Sequence, residues 1–589
     1  MSQTTSKSFD TQLFKRLMKY TRPYRLTFVS VAFVAILLSL LSVARPYLLK
    51  LTVDDYIITK DYQGLLTFSL IMAGILLGEV ISQLYFLYYA NWIGQSIVRD
   101  IRKKLFAHML RFKMKYYDNS SVGLLVTRTV SDMERIAEIF SSGFFEIVSD
   151  LLKMLAVMIA MLLFNWKLAL IVFAVLPIIL YATRLFQQAM KVAFTEVRLQ
   201  VANLNSFVQE RVTGMKIVQL FTREETEYDN FKKINKKHEQ AWLKTVWYNS
   251  IFFPIAEITS SITIGLIVWY GGLQAVSDGS VELGTIFMFI QMSQMLFRPL
   301  RQIADKFNTL QMGMVAANRV FNILDTQSSI EDKGSIEATT MNGDLSFKKV
   351  HFGYIENEEV LHGISFDVKA GETVAIVGAT GAGKSTIINL LNRFYEIQDG
   401  SICIDNIDIR EYTLPSLRSH IAVVLQDVFL FADTIYHNIT LKNPDITEDH
   451  VIEAAKEIGI HEFIMSLPGG YHYNVKERGT MLSSGQRQLI AFLRAYVSNP
   501  SILILDEATS SVDTYSEQLI QRATQKITEG RTSIVIAHRL ATVKKASKII
   551  VMDSGTIVEE GTHDELLTID KGYYRNLYEV QFLAEDATI

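Results

Sequence analysis

Three short segments in the carboxyl-terminal half of this 589-residue chain carry residue types that can bind and hydrolyse a nucleoside triphosphate. In chain order they are residues 378–386 (GATGAGKST), 482–486 (LSSGQ) and 502–507 (ILILDE). In the first, glycines let backbone N–H groups approach phosphate oxygens, a lysine reaches the terminal phosphates and a hydroxyl holds magnesium. The residues expected to contact the nucleotide there are Gly378, Gly381, Gly383, Lys384, Ser385 and Thr386.

The segments on either side of this loop fit the position that a phosphate loop needs. Residues 372–377 (ETVAIV) form a short apolar run typical of a strand, and residues 386–394 (TIINLLNRF) have helical spacing. A helix that begins at the loop directs the positive end of its dipole at the phosphates. We therefore predict that Lys384 binds the β- and γ-phosphates and that Ser385 holds Mg²⁺.

An acidic pair follows a second predicted strand. Residues 501–505 are continuously apolar, as in a strand buried within a parallel sheet, and Asp506 and Glu507 come directly after them. Nucleotides bind at the carboxyl ends of such strands in open α/β sheets. We predict that Asp506 binds Mg²⁺ through water and that Glu507 is the general base for the attacking water. The alternative is a solvated acidic turn after a core strand.

With these motifs in this order, the chain resembles the ATP-binding cassette (ABC) transporters. The resemblance implies that Tyr354 stacks on adenine and that Gln426 senses Mg²⁺ and the γ-phosphate. It also makes Asp513 the D-loop acid and His538 the switch histidine that contacts the γ-phosphate. Each of these alone is more often a surface or core residue without such a role. Their order and spacing through about 240 residues favours the resemblance.

The segment 482–486 matches the family's signature sequence and gives information about the subunit with which this chain pairs. The resemblance implies that four residues reach across to ATP held by an opposing cassette, namely Ser483, Ser484, Gly485 and Gln486. The usual family signature is Leu-Ser-Gly-Gly-Gln, so Ser484 adds a side chain where a helix N-terminus approaches the γ-phosphate. One interpretation is harmless variation. The other, which we favour, is resemblance to the catalytically intact subunit of a heterodimeric multidrug exporter, with an altered catalytic glutamate in its partner.

The amino-terminal half is rich in apolar residues, and 49% of the whole chain is hydrophobic. Six runs before residue 310 are candidates for crossing a hydrocarbon core about 30 Å thick: 26–51, 65–92, 144–164, 168–186, 251–276 and 285–297. The last is short unless its helix continues past Arg298. Basic residues before the first run and after the second indicate that those ends, and both termini, are cytoplasmic. The absence of an apolar stretch before residue 26 argues against a cleaved signal peptide.

These patterns predict a multi-domain protein, with an all-α six-helix transmembrane domain followed by an α/β P-loop ATP-binding cassette. The expected boundaries are 1–325 for the membrane domain, 326–340 for a polar linker and 341–589 for the cassette. Short outer loops alternate with long, charged inner segments, as in ABC exporters. By that resemblance, the turns at 116–125 and 212–222 are coupling helices, and Glu477 belongs to the X-loop that receives them. The alternative for Glu477 is a solvated charge.

Ionisable residues within the predicted spans are candidates for contact with the transported compound. Four of them lie roughly 22 Å from the outer end of their span at 1.5 Å per residue, namely Glu79, Asp150, Glu257 and Arg298. Groups at that depth normally face a bundle interior or a water-filled cavity. A carboxylate-lined cavity would favour amphipathic cations. Equally, Glu257 and Arg298 could pair and lock two helices together.

The sequence therefore predicts ATP-driven export of amphipathic compounds across the cytoplasmic membrane, by one half of a dimeric exporter among membrane lipids. Alternatives are a lipid or peptide exporter of this architecture and a non-transporting regulator or ATP-gated channel. A net charge of −3 gives no nucleic-acid footprint, and the membrane spans argue against a soluble cassette ATPase acting on nucleic acid. The single cysteine, Cys403, excludes an internal disulfide and fits a reducing compartment.

The role of Glu507 can be tested by replacing it with glutamine. An amide cannot accept the proton of the attacking water but nearly preserves the shape of the side chain. Glu507→Gln should lower steady-state ATP hydrolysis by at least about a hundredfold, while ATP binding survives and closed cassettes accumulate. ATPase assays and nucleotide-binding measurements check this. Turnover near that of the unmodified protein would show that Glu507 is not the base.

Overall fold

The computed structural model describes residues 10–277, 279–328, 332–355, 357–506, 514–537 and 540–579. The chain divides into two units, Met1–Leu110 with Val122–Gln327, and Arg111–Ser121 with Ser328–Ile589. The short stretch Arg111–Ser121 therefore groups with the carboxyl-terminal unit, although it lies in the sequence between helices of the first.

The amino-terminal part is helical. Its α-helices are α1 (Thr11–Met18), α2 (Arg25–Leu51), α3 (Tyr62–Met109), α4 (Met114–Asp118), α5 (Val122–Thr129), α6 (Ser131–Glu138), α7 (Glu146–Phe164), α8 (Trp166–Thr213), α9 (Met215–Leu220), α10 (Glu224–Ser277) and α11 (Leu283–Asp325). A 3₁₀ segment, Lys19–Tyr24, joins α1 to α2, and π-helical turns at Thr52–Ile57 and Ile139–Phe145 extend α2 and precede α7.

Five helical stretches of the described chain are long and apolar enough to cross a membrane: Thr11–Ile57, Tyr62–Met109, Val122–Phe164, Trp166–Thr213 and Glu224–Ser277. Each contains one of the first five predicted runs. The sixth run lies in α11, which spans 43 residues and continues past Arg298 as expected. Its apolar part is interrupted by Gln291, Gln294 and Arg298, and it does not reach the apolarity of the other five. The sixth crossing stays a prediction.

Local chemistry explains the one-residue turn between α7 and α8. The Oδ1 atom of Asn165 accepts hydrogen bonds from the backbone N–H groups of Lys167 and Leu168, at 3.1 Å each. This N-cap satisfies two donors at the start of α8, so the helix begins directly after α7 ends. α8 continues well beyond the apolar run 168–186 and packs along α10. Apolar residues of α7, α8, α10 and α11 form one buried cluster of this bundle.

The cassette contains two sheets. Its strands are β1 (Leu345–Phe352), β2 (Leu361–Val368), β3 (Thr373–Gly378), β4 (Asp399–Ile404), β5 (Ile407–Asp408), β6 (Ile421–Val424), β7 (Ile502–Asp506), β8 (Thr532–Ile536), β9 (Lys548–Asp553) and β10 (Thr556–Gly561). One sheet has the order β10-β9-β3-β8-β7-β6, parallel except for β10. The other is antiparallel, with the order β2-β1-β4-β5.

One buried cluster joins the parallel sheet to helices, and another joins it to the antiparallel sheet. The α-helices of the described cassette lie between these strands or after them in the chain. They are α12 (Lys384–Leu391), α13 (Leu414–Ser419), α14 (Ile435–Thr440), α15 (Glu448–Glu457), α16 (His461–Met465), α17 (Ser484–Val497), α18 (Thr514–Thr528), α19 (Leu540–Lys545), α20 (His563–Thr568) and α21 (Tyr573–Leu577). The predicted strands at 372–377 and 501–505 correspond to β3 and β7 within one residue at each end. Cys403 is buried in β4.

The end of the predicted linker, 326–340, is bound to the cassette by its backbone. Ile336 forms a parallel bridge with Tyr412, and its N–H donates to the carbonyl oxygen of Glu411 at 3.0 Å. Gly334 approaches the Tyr412 backbone so closely that a Cβ atom there would lie 2.0 Å from the carbonyl oxygen. The cassette therefore holds the residues around 334–338 as an ordered strap.

Candidate functional site

The phosphate loop lies between β3 and α12, as the sequence predicts. Gly378, Gly381 and Gly383 have φ angles of 153°, 86° and 96°, values that favour glycine. At Gly378 a Cβ atom would also lie 2.1 Å from the carbonyl oxygen of Met552 on β9. The loop can therefore keep this path only with glycine at these positions, and α12 begins with its free N–H groups directed toward the loop.

Lys384 is the first residue of α12 and is buried. Its Nζ atom donates to the backbone carbonyl oxygens of Gly378, at 2.6 Å, and Ala379, at 2.9 Å. Burial lowers the pKa of the ammonium group, and the negative charge of Asp506 opposes this effect. The lysine thus folds over the loop, beside the carboxylate that was predicted to serve Mg²⁺. Ser385 follows it and is exposed.

The parallel sheet collects the other predicted groups at one edge. Asp506 ends β7, aligned with Ile536 at the end of β8, and β8 lies between β7 and β3. Gln426 is exposed two residues after β6, which pairs with β7 in parallel. Because carboxyl ends of parallel strands meet at the same edge, these groups lie on the phosphate-loop side of the sheet.

Three predicted residues, Glu507, Asp513 and His538, lie outside the described residues. Their chain neighbours are placed, since β7 ends one residue before Glu507 and β8 ends two residues before His538. The roles of the three as base, D-loop acid and switch histidine stay predictions.

Tyr354 lies beside the phosphate-loop helix. Its hydroxyl donates to Thr386 Oγ1 at 3.3 Å and accepts from Asn389 Nδ2 at 2.9 Å, both on α12. Its ring meets those of Phe352 and Tyr395 edge on, with centroids 4.9 Å away in each case. These contacts fix the ring next to the loop. Stacking on adenine stays a prediction.

Tyr395 was not singled out from the sequence. Its hydroxyl donates to the carboxylate of Asp118, at the end of α4, in the stretch that groups with the cassette. Burial and this hydrogen bond both raise the pKa of Tyr395. The contacts continue from Asp118 through Tyr395 and Tyr354 to Thr386. The aromatic pair at 394–395 after the loop helix is the only sequence signal, and nothing in it points to Asp118.

The signature segment begins α17 with a capping box. Ser483 Oγ accepts from Gln486 N at 3.2 Å, and Gln486 Oε1 accepts from Ser483 N at 2.9 Å. Ser484 is the exposed first residue of the helix, and Gly485 behind it is buried. The backbone at Ser484 is helical, so its conformation does not require glycine. The extra side chain therefore changes the exposed face of the signature without straining the fold.

Glu477 occupies a tight exposed turn just before the signature. Its neighbours Lys476 and Arg478 have φ angles of 59° and 54°, in the left-handed region that L-residues rarely adopt. The carbonyl oxygen of Glu477 accepts from Thr480 N at 3.2 Å. This turn holds Glu477 outward, as a docking residue would need. Its role in coupling stays a prediction.

Among the predicted substrate residues, Glu257 and Arg298 come together. Both line one open cavity of about 1140 Å³ among α8, α10 and α11. Six phenylalanines share its wall, and two of them, Phe186 and Phe252, stack with centroids 4.0 Å apart. The lining also includes charged side chains that were not predicted, namely Lys191, Arg198 and Asp305.

Glu79 and Asp150 lie elsewhere in the described bundle. Glu79 Oε2 is 3.7 Å from Arg45 Nη1, between α3 and α2. Asp150 Oδ2 is 2.6 Å from Lys306 Nζ, which also lies 3.0 Å from Glu146 Oε2, between α7 and α11. Arg45 sits inside the first predicted span, and a cation at that depth could have been recognised as a partner for a carboxylate.

The Lys306 cluster can be tested by unequal substitutions. Lys306→Met leaves two carboxylates close together in a half-buried site without their cation, so we expect a loss of about 2–3 kcal/mol of stability. Asp150→Asn leaves Lys306 its contact with Glu146 and should cost less than half as much. Thermal unfolding followed by tryptophan fluorescence compares the two. Equal shifts would contradict this account of the cluster, and loss of transport in a stable Asp150→Asn protein would support a transport role for Asp150.

Comparison with known proteins gives matches over nearly the whole chain. Residues 28–300 match the ABC transporter transmembrane region, and residues 361–510 match the ABC transporter cassette family. The chain is 36% identical over 580 residues to the putative multidrug export ATP-binding/permease protein YgaD of Bacillus subtilis, covering 97% of this chain and 100% of that protein.

Other relatives carry different descriptions. The chain is 36% identical over 573 residues to the ATP-dependent lipid A-core flippase of Desulfotalea psychrophila, covering 97% of this chain and 99% of that one. It is 35% identical over 579 residues to the ABC transporter ATP-binding protein YknV of Bacillus subtilis, covering 98% and 96%. Similarity at this level supports a common architecture across relatives whose named cargoes differ.

Proposed function

Because the chain belongs to the ABC transporter family, as an exporter half-transporter with a membrane domain fused to an ATP-hydrolysing cassette, we propose that it exports amphipathic compounds by alternating access. The observation that carries this proposal is the cavity among α8, α10 and α11. Aromatic rings suit the apolar part of such a compound, and a few charged groups can orient its polar part. The proposal is supported by two relatives, one named for multidrug export and one for lipid A-core flipping, because amphipathic compounds include both kinds of cargo.

The charges of the cavity bear on its selectivity. Glu257 and Asp305 supply negative charge, whereas Arg298, Lys191 and Arg198 supply positive charge. A carboxylate-only site would favour cations, but this lining can also attract an anionic head group. Multidrug-type export remains our proposal. The mixed charges of the cavity favour export of an amphipathic lipid as the second candidate function.

The phosphate-loop side of the cassette suits ATP and Mg²⁺. Ser385, Asp506 and Gln426 offer the oxygen ligands that Mg²⁺ prefers, and Asp506 lies close enough to affect the pKa of Lys384. When bound, the ion would neutralise charge on the β- and γ-phosphates. Lys384 would hold the same phosphates, and Glu507 would take the proton of the attacking water. The basic residues before the first apolar run and after the second support a place in the cell membrane with both termini on the cytoplasmic side.

The contacts around Tyr395 suggest how the cassette communicates with the predicted coupling turn. A shift of Tyr354 on nucleotide binding would reach Asp118 through one aromatic contact and one hydrogen bond. Residues 111–121 continue directly into α3 and α5 along the chain. Tyr395 would thus transmit the state of the ATP site without touching ATP.

This path can be tested with Tyr395→Phe, which removes the hydrogen bond to Asp118 and keeps the ring contact with Tyr354. Substrate stimulation of ATPase in proteoliposomes should fall severalfold while basal ATPase stays close to normal, because the phosphate loop is intact. Tyr471→Phe is the matched control, since it removes the hydroxyl of another cassette tyrosine, which contacts His461. Equal losses in both variants would assign Tyr395 a structural role only.

We further propose that the partner is a different half-transporter with an altered catalytic glutamate. Lys384, Asp506, Glu507 and His538 would then meet the partner's intact signature at the hydrolytic site. The Ser484-bearing signature would complete a weaker site on the partner. Support comes from Ser484 itself, which lies exposed at the start of α17 where an opposing nucleotide would be met.

The deciding experiment expresses this chain alone and together with the product of the adjacent coding sequence. We expect efficient flux of a cationic dye or a fluorescent phospholipid analogue into vesicles only from the pair, abolished by Glu507→Gln. A stable, transporting homodimer whose ATPase is unchanged by Ser484→Gly would defeat the heterodimer. ATPase without flux would instead support a regulator or channel.

Glu257→Gln should weaken ATPase stimulation by cationic compounds more than by neutral ones.

A further inference from the structure

An open basic pocket of about 930 Å³ lies among α1, the 3₁₀ segment Lys19–Tyr24 and α3. Its lining includes five cationic side chains and one carboxylate, that of Asp100. The cations are Lys15, Arg16, Lys19, Lys103 and Lys104. This pocket is separate from the cavity proposed for exported compounds, with which it shares no lining residue.

The nearby acids already have partners. Asp100 accepts a hydrogen bond from Tyr24 Oη at 2.7 Å and one from Arg99 at 3.2 Å. Asp325 binds the guanidinium of Arg16 through both oxygens, at 2.6 and 2.7 Å. In the described part of the chain, the four lysines form no ion pair. The pocket therefore keeps a positive charge that its own carboxylates do not neutralise.

Two of the five cations, Lys104 and Arg16, contact aromatic rings. Lys104 Nζ lies 4.9 Å from the centroid of the Tyr20 ring, which in turn stacks on Phe321 at 6.0 Å. The Arg16 guanidinium lies 4.2 Å from the Phe321 centroid. Cation–π contacts of this kind bring charges from α1 and α3 to one place, although they are far apart in sequence.

Neighbouring residues put the pocket at the level of lipid head groups. Tyr24 meets Trp92 edge on at 5.4 Å, and such aromatic residues mark membrane interfaces. Directly after Tyr24, α2 presents Leu26 and Val29, which are 82% and 64% exposed, as lipid-facing residues would be. Since Tyr24 is bonded to Asp100, Lys103 lies only about 5 Å farther along α3 at 1.5 Å per residue.

We propose that this pocket binds the phosphate of an anionic phospholipid from the adjoining leaflet. Lysine ammonium groups pair with phosphate as mobile point charges, and basic pockets beside membrane helices are suited to lipid head groups. The acyl chains would lie along the exposed apolar side chains of α2. The site does not depend on which compound is exported, because it lies outside the transport cavity.

The test uses the full chain in its active dimeric form, in nanodiscs that combine phosphatidylcholine with increasing phosphatidylglycerol. Native mass spectrometry of the released protein counts retained lipids. Lys19→Gln with Lys104→Gln should weaken phosphatidylglycerol retention by about tenfold or more and leave phosphatidylcholine unchanged. Arginine at both positions should restore retention. Lys236→Gln with Lys237→Gln, on the exposed inner part of α10, is the control of equal charge.

Selective loss in the pocket variant, rescued by arginine, supports the lipid site. An equal loss in the control would overturn it, because general surface charge would then explain retention. Equal retention of both lipids by the unmodified protein would also overturn it. Competition by inorganic phosphate at the concentration effective for phosphatidylglycerol would show a free-phosphate site and reject the membrane lipid as occupant. Circular dichroism of each variant confirms that its helices are intact.

Discussion

The parallel pairing of β3, β8, β7 and β6 is the constraint on which the candidate ATP site depends. It brings the ends of β3 and β7, which are more than one hundred residues apart in sequence, to one edge of a sheet together with those of β6 and β8. The buried Lys384 ammonium then lies near enough to Asp506 for the carboxylate to oppose the effect of burial on its pKa. A loop with side chains at Gly378 could not remain in this place, because β9 leaves no room for a Cβ atom.

In the proposed coupling path, the contacts beside the phosphate loop would let the cassette respond to nucleotide. The loop helix α12 carries Thr386 and Asn389, which hold the Tyr354 hydroxyl, and the Tyr354 ring meets that of Tyr395. These are packed, directional contacts, so a displacement at α12 cannot be absorbed by a flexible side chain alone. Asp118 at the far end lies in a short helix, where its hydrogen bond with Tyr395 can be kept or lost as a discrete event.

Sequence reasoning located the phosphate loop because its chemistry is local, with glycines, lysine and hydroxyls inside nine consecutive residues. It also placed β3, β7 and the long helices of the amino-terminal half, since apolar runs and helical spacing are short-range signals. It missed the Asp118–Tyr395 bond, whose partners are 277 positions apart, and the Lys306–Asp150 bond, whose partners are 156 apart. Such pairs depend on how helices and strands meet in three dimensions, which periodicity does not determine.

Depth along a span also proved a poor guide to which charges share a site. Glu79 and Asp150 each lie near a cation on a neighbouring helix, where a charge pair is offset by its own desolvation and mainly fixes helix position. Glu257 and Arg298 border an open cavity beside six phenylalanines. The rotation of each helix about its axis decides which neighbours a charged side chain meets, and packing of its apolar face sets that rotation. Polar side chains in such a bundle are therefore better judged by what lies across the helix interface than by their distance from its end.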